Sequence, residues 1–264
     1  MNWMDPGYPL PGRFFSPQIE MLCAMTHLPG RRGVEAALGL LTFLPRPYLA
    51  RAMALAWRDP PGNRMAWACL WSFAWYDSSA RTFEAAGSRA RLMRWIAAAD
   101  YSQPLLPFFR DLCGSRDELP ASMTVYRGGV GDPAQLALGL SWTLRPTEAA
   151  YYAMWRAGQG KREARPVIVR RTARREDVLW QWRLDGGELL IAAPGDWSAC
   201  TDDRGRIEKL AQRAERRRPA SLEAWRQMAV RCQTGDFWAG WTGDEERAAW
   251  APVKAAGPSA RQQN

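Results

Sequence analysis

The chain has 264 residues, of which 47% are hydrophobic, and it carries a formal net charge of +9. This length allows one large domain or two modest ones, and the charge favours anionic partners such as nucleotides, nucleic acid, acidic proteins or a membrane surface. Five widely spaced cysteines without a CxxC pair, and a single histidine, argue against a disulfide framework and a zinc site.

No segment has the pattern of a signal peptide or a membrane span. Asp5, Pro6 and Pro9 stand where a signal peptide needs a basic start and an apolar run. The most apolar stretch, residues 65–76, is too short to cross a bilayer. We therefore expect a cytoplasmic protein with reduced, mostly buried thiols and no membrane insertion.

The first part of the chain is predicted to be helical, with helices ended by proline and glycine. Trp67, Trp71 and Trp75 recur every fourth residue and so share one helix face. This stripe predicts a seam of a helix bundle, and a platform that stacks bases of single-stranded nucleic acid is the alternative. The predicted helices cover residues 17–27, 34–44, 47–57, 64–76, 80–99 (interrupted near Gly87) and 105–113.

After Pro120 the pattern changes to short strands in quick succession, which predicts an α+β fold rather than a doubly wound sheet. The predicted strands cover residues 123–127, 138–144, 166–171, 178–182 and 188–192, with one helix over 146–156. A basic helix over 206–218 and a second helix to about residue 232 follow. The predicted regions are a helical N-terminal region (1–118), a core (119–200), a basic helical extension (201–250) and a flexible tail (251–264).

Three polar side chains stand in or beside the predicted strands of the core. Arg127 ends the first strand, Ser141 lies in the second and Glu188 opens the last. Apolar residues would pack better there, so each polar group needs an explanation. The planar Arg127 guanidinium suits a pyrophosphate, and Gly128 permits close approach of a ligand. Ser141 can donate a hydrogen bond that fixes Glu188, whose carboxylate can stabilise positive charge on a ribose as its glycosidic bond breaks.

Taken in order, these residues resemble the motifs of ADP-ribosyltransferases of the Arg-Ser-Glu type. Tyr126-Arg127-Gly128 is similar to their aromatic-Arg-Gly motif, Ser141-Trp142-Thr143 to Ser-Thr-Ser, and Glu188 to the second Glu of Glu-x-Glu. The run from Gly139 to Thr143 followed by Glu148 looks like small members carried by phages and bacterial mobile elements. Over residues 123–194 the resemblance implies a split, strongly bent β-sandwich that grips NAD as substrate, without a metal. It assigns phosphates to Arg127, orientation of Glu188 to Ser141, and catalysis to Glu188.

Four further residues are candidates for the predicted NAD site, and the chain departs from the family pattern at one position. Trp142, Thr143, Tyr151 and Tyr152 are further NAD-binding candidates, with packing against the sheet as the alternative for Trp142 and the tyrosines. Gly186 stands two residues before Glu188, where arginine-modifying relatives carry Glu. This argues against arginine as the acceptor and leaves open another protein or nucleic acid acceptor, NAD hydrolysis, or a degenerate relative.

The leading interpretation is a mono-ADP-ribosyltransferase that acts on a macromolecular target inside a bacterial host cell, as an effector, toxin or phage-encoded modifier. One alternative is a catalytically degenerate member of this fold that only binds. Another is a basic nucleic-acid-binding protein that uses the tryptophan stripe and the arginines within 170–175 and 213–218. His27 is expected to be an imidazolium at a helix C-terminus rather than a catalytic residue.

Overall fold

The computed structural model describes residues 17–44, 48–77, 79–99, 113–159, 164–183, 187–192 and 195–216. Its N-terminal part is helical, as predicted, and Gly87 separates two helices where φ of +73° suits a glycine. The predicted helix over 105–113 lies outside the described residues except for Cys113, which forms an isolated β-bridge with Trp182. The helices are α1 (Pro17–Met25), α2 (Arg31–Phe43), α3 (Leu49–Ala56), α4 (Arg64–Asp77), α5 (Ser79–Ala86) and α6 (Arg89–Ala99).

The second part has an α+β organisation, as predicted, in which six strands form one antiparallel sheet ordered β4-β5-β2-β1-β3-β6. The strands are β1 (Ser122–Val130), β2 (Ser141–Thr143), β3 (Pro166–Arg174), β4 (Val178–Gln181), β5 (Glu188–Ile191) and β6 (Trp197–Thr201). The helices here are α7 (Pro133–Ala137), α8 (Pro146–Gln159) and α9 (Arg204–Glu215).

The structure departs from the sequence prediction in several elements. β2 covers only Ser141–Thr143 of the strand predicted over 138–144. β1 does not end before its glycines but continues through Gly128 and Gly129, because it pairs with β3 along its whole length, from Ser122 opposite Arg174 to Val130 opposite Pro166. β6 and α7 were not predicted. β6 is an exposed edge strand without the alternation that a buried face imposes.

The N-terminal helices and the sheet share a continuous hydrophobic core. Trp67, Trp71 and Trp75 of α4 are 2%, 0% and 5% exposed, which confirms the prediction that the tryptophan stripe is a packing seam. Val125 of β1 and Trp180 of β4 belong to the same core. Within the part of the chain that the structure describes, no helix has the length and apolarity needed to span a membrane.

A second, smaller core lies between the sheet and α8, and it is built from small side chains. Ala149, Ala150 and Ala153 of α8 pack with Ile168 of β3, and Ile207 of α9 joins them. Small residues allow the helix to approach the strands closely. An ideal Cβ placed on Gly128 would lie 1.6 Å from the backbone oxygen of Ala149, so glycine is required where α8 crosses β1.

The cysteines of the described residues are free thiols. Burial raises the pKa of Cys23 to about 11 and that of Cys113 to about 12. Because the thiolate is the reactive form, these two side chains behave as small apolar core residues. Cys200 is half-buried.

The contact between α8 and β1 predicts a large difference between two glycine substitutions. Gly128→Ala should reduce the free energy of unfolding by about 3 kcal/mol, because the helix backbone must shift to admit the methyl group. Gly158 lies in α8, and a Cβ added there would have nothing within 4 Å. Gly158→Ala should therefore be neutral or stabilising by up to about 1 kcal/mol. Urea unfolding measures both, and equal stabilities would show that the close approach is absent.

Candidate functional site

The topology places the three predicted polar residues on neighbouring strands. β2 lies between β1 and β5 in the sheet. Thr143 is opposite Tyr126 on one side and opposite Glu188 on the other. Arg127 follows Tyr126 in β1 and Ser141 opens β2, so residues separated by 14 and 47 positions are brought together in space.

Hydrogen bonds link the three residues directly. The Ser141 hydroxyl donates to Oε1 of Glu188 at 2.5 Å, the short distance typical of a hydroxyl bound to a carboxylate. The Arg127 guanidinium donates through Nη1 to the backbone oxygen of Ser141. Ser141 therefore contacts the cation through its backbone and the carboxylate through its side chain. We refer to Arg127, Ser141 and Glu188 as the polar triad.

The Arg127 guanidinium is desolvated and closely packed against its neighbours. Burial lowers the pKa of Arg127 to about 10, with Glu188 acting to raise it and Arg156 of α8 acting to lower it. Arg127 therefore stays charged at neutral pH. A Cβ on Gly139 would lie 2.2 Å from Cζ of the guanidinium, so the charged group lies against this glycine. Within the described residues, the buried Nε of Arg127 has no hydrogen-bond partner.

Glu188 has a second donor that the sequence did not predict. The indole N–H of Trp75 donates to the same Oε1 atom at 3.2 Å, across a sequence separation of 113 residues. Position in the tryptophan stripe placed Trp75 in the core but carried no information about its polar partner. The contact joins the N-terminal helices to the polar triad.

Two residues predicted to bind NAD, Gly128 and Trp142, are packed against protein. The space beside Gly128 is taken by the backbone of Ala149. Trp142 is 1% exposed, its indole N–H donates to the Gly139 oxygen at 2.9 Å, and Cζ of Arg171 lies 4.5 Å from its ring centroid. Packing accounts for both residues, and their contact with NAD stays a prediction.

The other three candidates differ in exposure. Thr143 is buried, and its hydroxyl oxygen accepts a hydrogen bond from the Arg145 backbone at 3.1 Å. Tyr151 packs against the alanine-rich core, and Tyr152, whose ring centroid is 5.6 Å from that of Tyr151, is 40% exposed. Of the two tyrosines, Tyr152 therefore has the ring more available to a ligand.

A cavity of about 370 Å³ lies elsewhere on the sheet, where β1, β3 and β6 meet. Its lining includes Gly131, Arg165, Cys200 and Asp202, and none of the triad residues. We take the polar triad as the candidate site because hydrogen bonds from Arg127 to Ser141 and from Ser141 to Glu188 connect its three members. Among the described residues, no group of three His, Cys, Asp or Glu side chains is arranged to hold a metal ion.

Comparison of the chain with protein-family models, with curated proteins and with solved structures finds no match. Gly186, the position where the sequence departs from the arginine-modifying pattern, lies outside the described residues.

His27 lies just after α1 and accepts a hydrogen bond rather than donating one. The backbone N–H of Gly62 donates to its Nδ1 at 3.1 Å, which requires that nitrogen to be unprotonated. Burial lowers the pKa of His27, and Arg58 acts in the same direction. The predicted imidazolium at a helix end is therefore wrong. Packing against Gly62 favours the neutral ring.

This contact predicts a pH effect with a definite sign. The pKa of His27 in the folded protein lies below its ordinary value of 6.5. The neutral His27 ring therefore contributes its full stability above that pH, and this contribution is lost as the pH falls through the folded pKa. His27→Asn retains an acceptor but does not titrate. Between about pH 7.5 and about pH 5.5, its free energy of unfolding should fall less than that of the wild type. An identical pH dependence would contradict the assigned tautomer.

Proposed function

We propose that this chain is an NAD-dependent mono-ADP-ribosyltransferase whose core has the ADP-ribosyltransferase fold. The observation that carries the proposal is the hydrogen-bonded triad, in which Ser141 binds the Glu188 carboxylate and its backbone binds the Arg127 guanidinium. The resemblance assigns these three residues to one site. Their direct contact supports that assignment.

The strand arrangement supports the proposal as well. The Arg, Ser and Glu motifs fall on β1, β2 and β5, which are neighbours in the sheet although β3 and β4 intervene in sequence. The motif order along the chain does not require this adjacency. A chance occurrence of the three motifs would have no reason to put their polar groups within hydrogen-bond reach.

The residues suit the chemistry of NAD. Arg127, charged at neutral pH and partnered by a neutral carbonyl, would bind the diphosphate. Glu188 would accept a hydrogen bond from a hydroxyl of the nicotinamide ribose and stabilise positive charge as it develops on that sugar.

The proposed reaction transfers ADP-ribose to a nucleophile. The bond between ribose C1′ and the nicotinamide nitrogen breaks, and its electron pair leaves with neutral nicotinamide. The acceptor then forms a bond to C1′ and gives up a proton to solvent or to a base. Because Gly186 provides no carboxylate before Glu188, we propose a macromolecular acceptor other than arginine, with water as the acceptor in the absence of a target.

The nucleic-acid-binding alternative has less support. The tryptophan stripe is buried and cannot stack on bases. The arginines within 170–175 do not form one basic face, because Arg171 is buried against Trp142 while Arg170 and Arg174 are exposed. Arg217 and Arg218 of the second cluster lie outside the described residues. Measurement of NAD turnover distinguishes the proposed enzyme from the degenerate, binding-only alternative.

Nicotinamide release from NAD tests the proposal. Glu188→Ala should lower the rate by about 10²–10³-fold, the usual effect of removing one group that stabilises transition-state charge. Glu176→Ala, which removes an exposed carboxylate in the turn before β4, should leave the rate unchanged. Thermal unfolding must show that Glu188→Ala is folded. A folded wild type that releases no nicotinamide would reject the enzyme in favour of a binding protein.

A further inference from the structure

Two tryptophans, Trp75 and Trp182, donate hydrogen bonds to Glu188, and the rings of both pack against Trp71. Its carboxylate accepts a hydrogen bond from the Trp75 indole at 3.2 Å. Its backbone oxygen accepts one from the Trp182 backbone N–H at 2.8 Å. Trp71 lies between these tryptophans, with ring centroids 5.2 Å from Trp75 and 6.4 Å from Trp182.

This aromatic cluster is buried and closely packed. Trp71 and Trp182 are 0% and 2% exposed, and the Trp182 indole is anchored by a hydrogen bond to the Ser72 oxygen at 3.2 Å. Trp75 is 5% exposed, so its ring has few alternative rotamers in a close-packed core. The donor that reaches Glu188 is therefore fixed relative to the strand that carries Glu188.

A glutamate carboxylate needs such a constraint if it is to act on a defined atom. The torsion that rotates the carboxylate plane is broad, so a single hydrogen bond leaves the plane poorly defined. Here Ser141 and Trp75 both donate to Oε1, one from the sheet and one from α4. Two donors on one oxygen restrict that rotation and determine where the other oxygen points.

We infer that Trp75 is a positioning residue for Glu188, so that the N-terminal helical region completes the active site rather than only covering it. This inference rests on the proposed function, because positioning matters only if Glu188 acts on a substrate. An indole N–H suits this task, since it donates, does not accept and carries no charge. The role differs from support of the fold, which Trp71 provides without any hydrogen bond from its indole within the described residues.

Trp71 and Trp75 form a matched pair for the test. Trp75→Phe and Trp71→Phe each remove an indole from the same buried cluster, but only the first removes a donor to Glu188. With NAD as substrate, Trp75→Phe should lower kcat for nicotinamide release about tenfold with KM unchanged, because misplacing a reacting group affects the chemical step. Trp71→Phe should keep kcat within about twofold despite a comparable loss of thermal stability.

A second measurement does not depend on turnover or on replacing Trp75. In ¹H–¹⁵N spectra, the indole resonance of Trp75 is assigned by its absence in Trp75→Phe. Glu188→Ala should shift this resonance toward the position of a free indole and leave the Trp71 indole resonance in place. An unmoved Trp75 resonance overturns the inference. The inference is also overturned if the wild type is active and the two tryptophan variants lose kcat equally, or if neither variant loses it. In both cases the proposed function still stands. A wild type without turnover rejects the proposed function, and the positioning role with it.

Discussion

The carboxylate of Glu188 accepts hydrogen bonds from both parts of the molecule. A half-buried charge is costly unless donors replace the water that it loses, and here the donors come from both sides, Ser141 from β2 and Trp75 from α4. The packing of α4 against the sheet therefore both buries the tryptophan stripe and supplies a donor to Glu188. The predicted boundary between a helical region and a core falls within a continuous hydrophobic core, so α4 contributes both to the fold and to the candidate site.

Much of the secondary structure could be predicted from the sequence, because it depends on local chemistry. Proline and glycine mark the helix ends, and the four-residue spacing of the tryptophans in α4 identified the buried face correctly. The failures depend on contacts that are distant in the chain. β1 continues through its glycines because β3 pairs along its full length, and Gly128 is required by the backbone of Ala149 in α8. β6 went unpredicted because an exposed edge strand has no apolar alternation.

The candidate site was predictable only where polar residues stand out on apolar strands. Arg127, Ser141 and Glu188 were predicted in this way, and Ser141 contacts both of the others. The role of Trp75 was not predicted. An indole is largely apolar and has a single donor, and core packing already explained the spacing of Trp75 in the sequence. Gly139 was part of a motif, but its contact with the guanidinium of Arg127 depends on how the loop before β2 folds. The sequence therefore predicts the polar residues that stand on apolar strands better than the residues of other elements that contact them.

A crystal structure of the Glu188→Gln protein bound to NAD tests the central claim most directly, since this change should slow turnover while preserving the shape of the site. We expect the diphosphate against the Arg127 guanidinium and a hydroxyl of the nicotinamide ribose within hydrogen-bond distance of the side chain at position 188. NAD bound instead in the cavity beside Gly131 and Asp202, or no bound NAD at saturating concentration, would contradict the assignment of Arg127, Ser141 and Glu188 to a dinucleotide site.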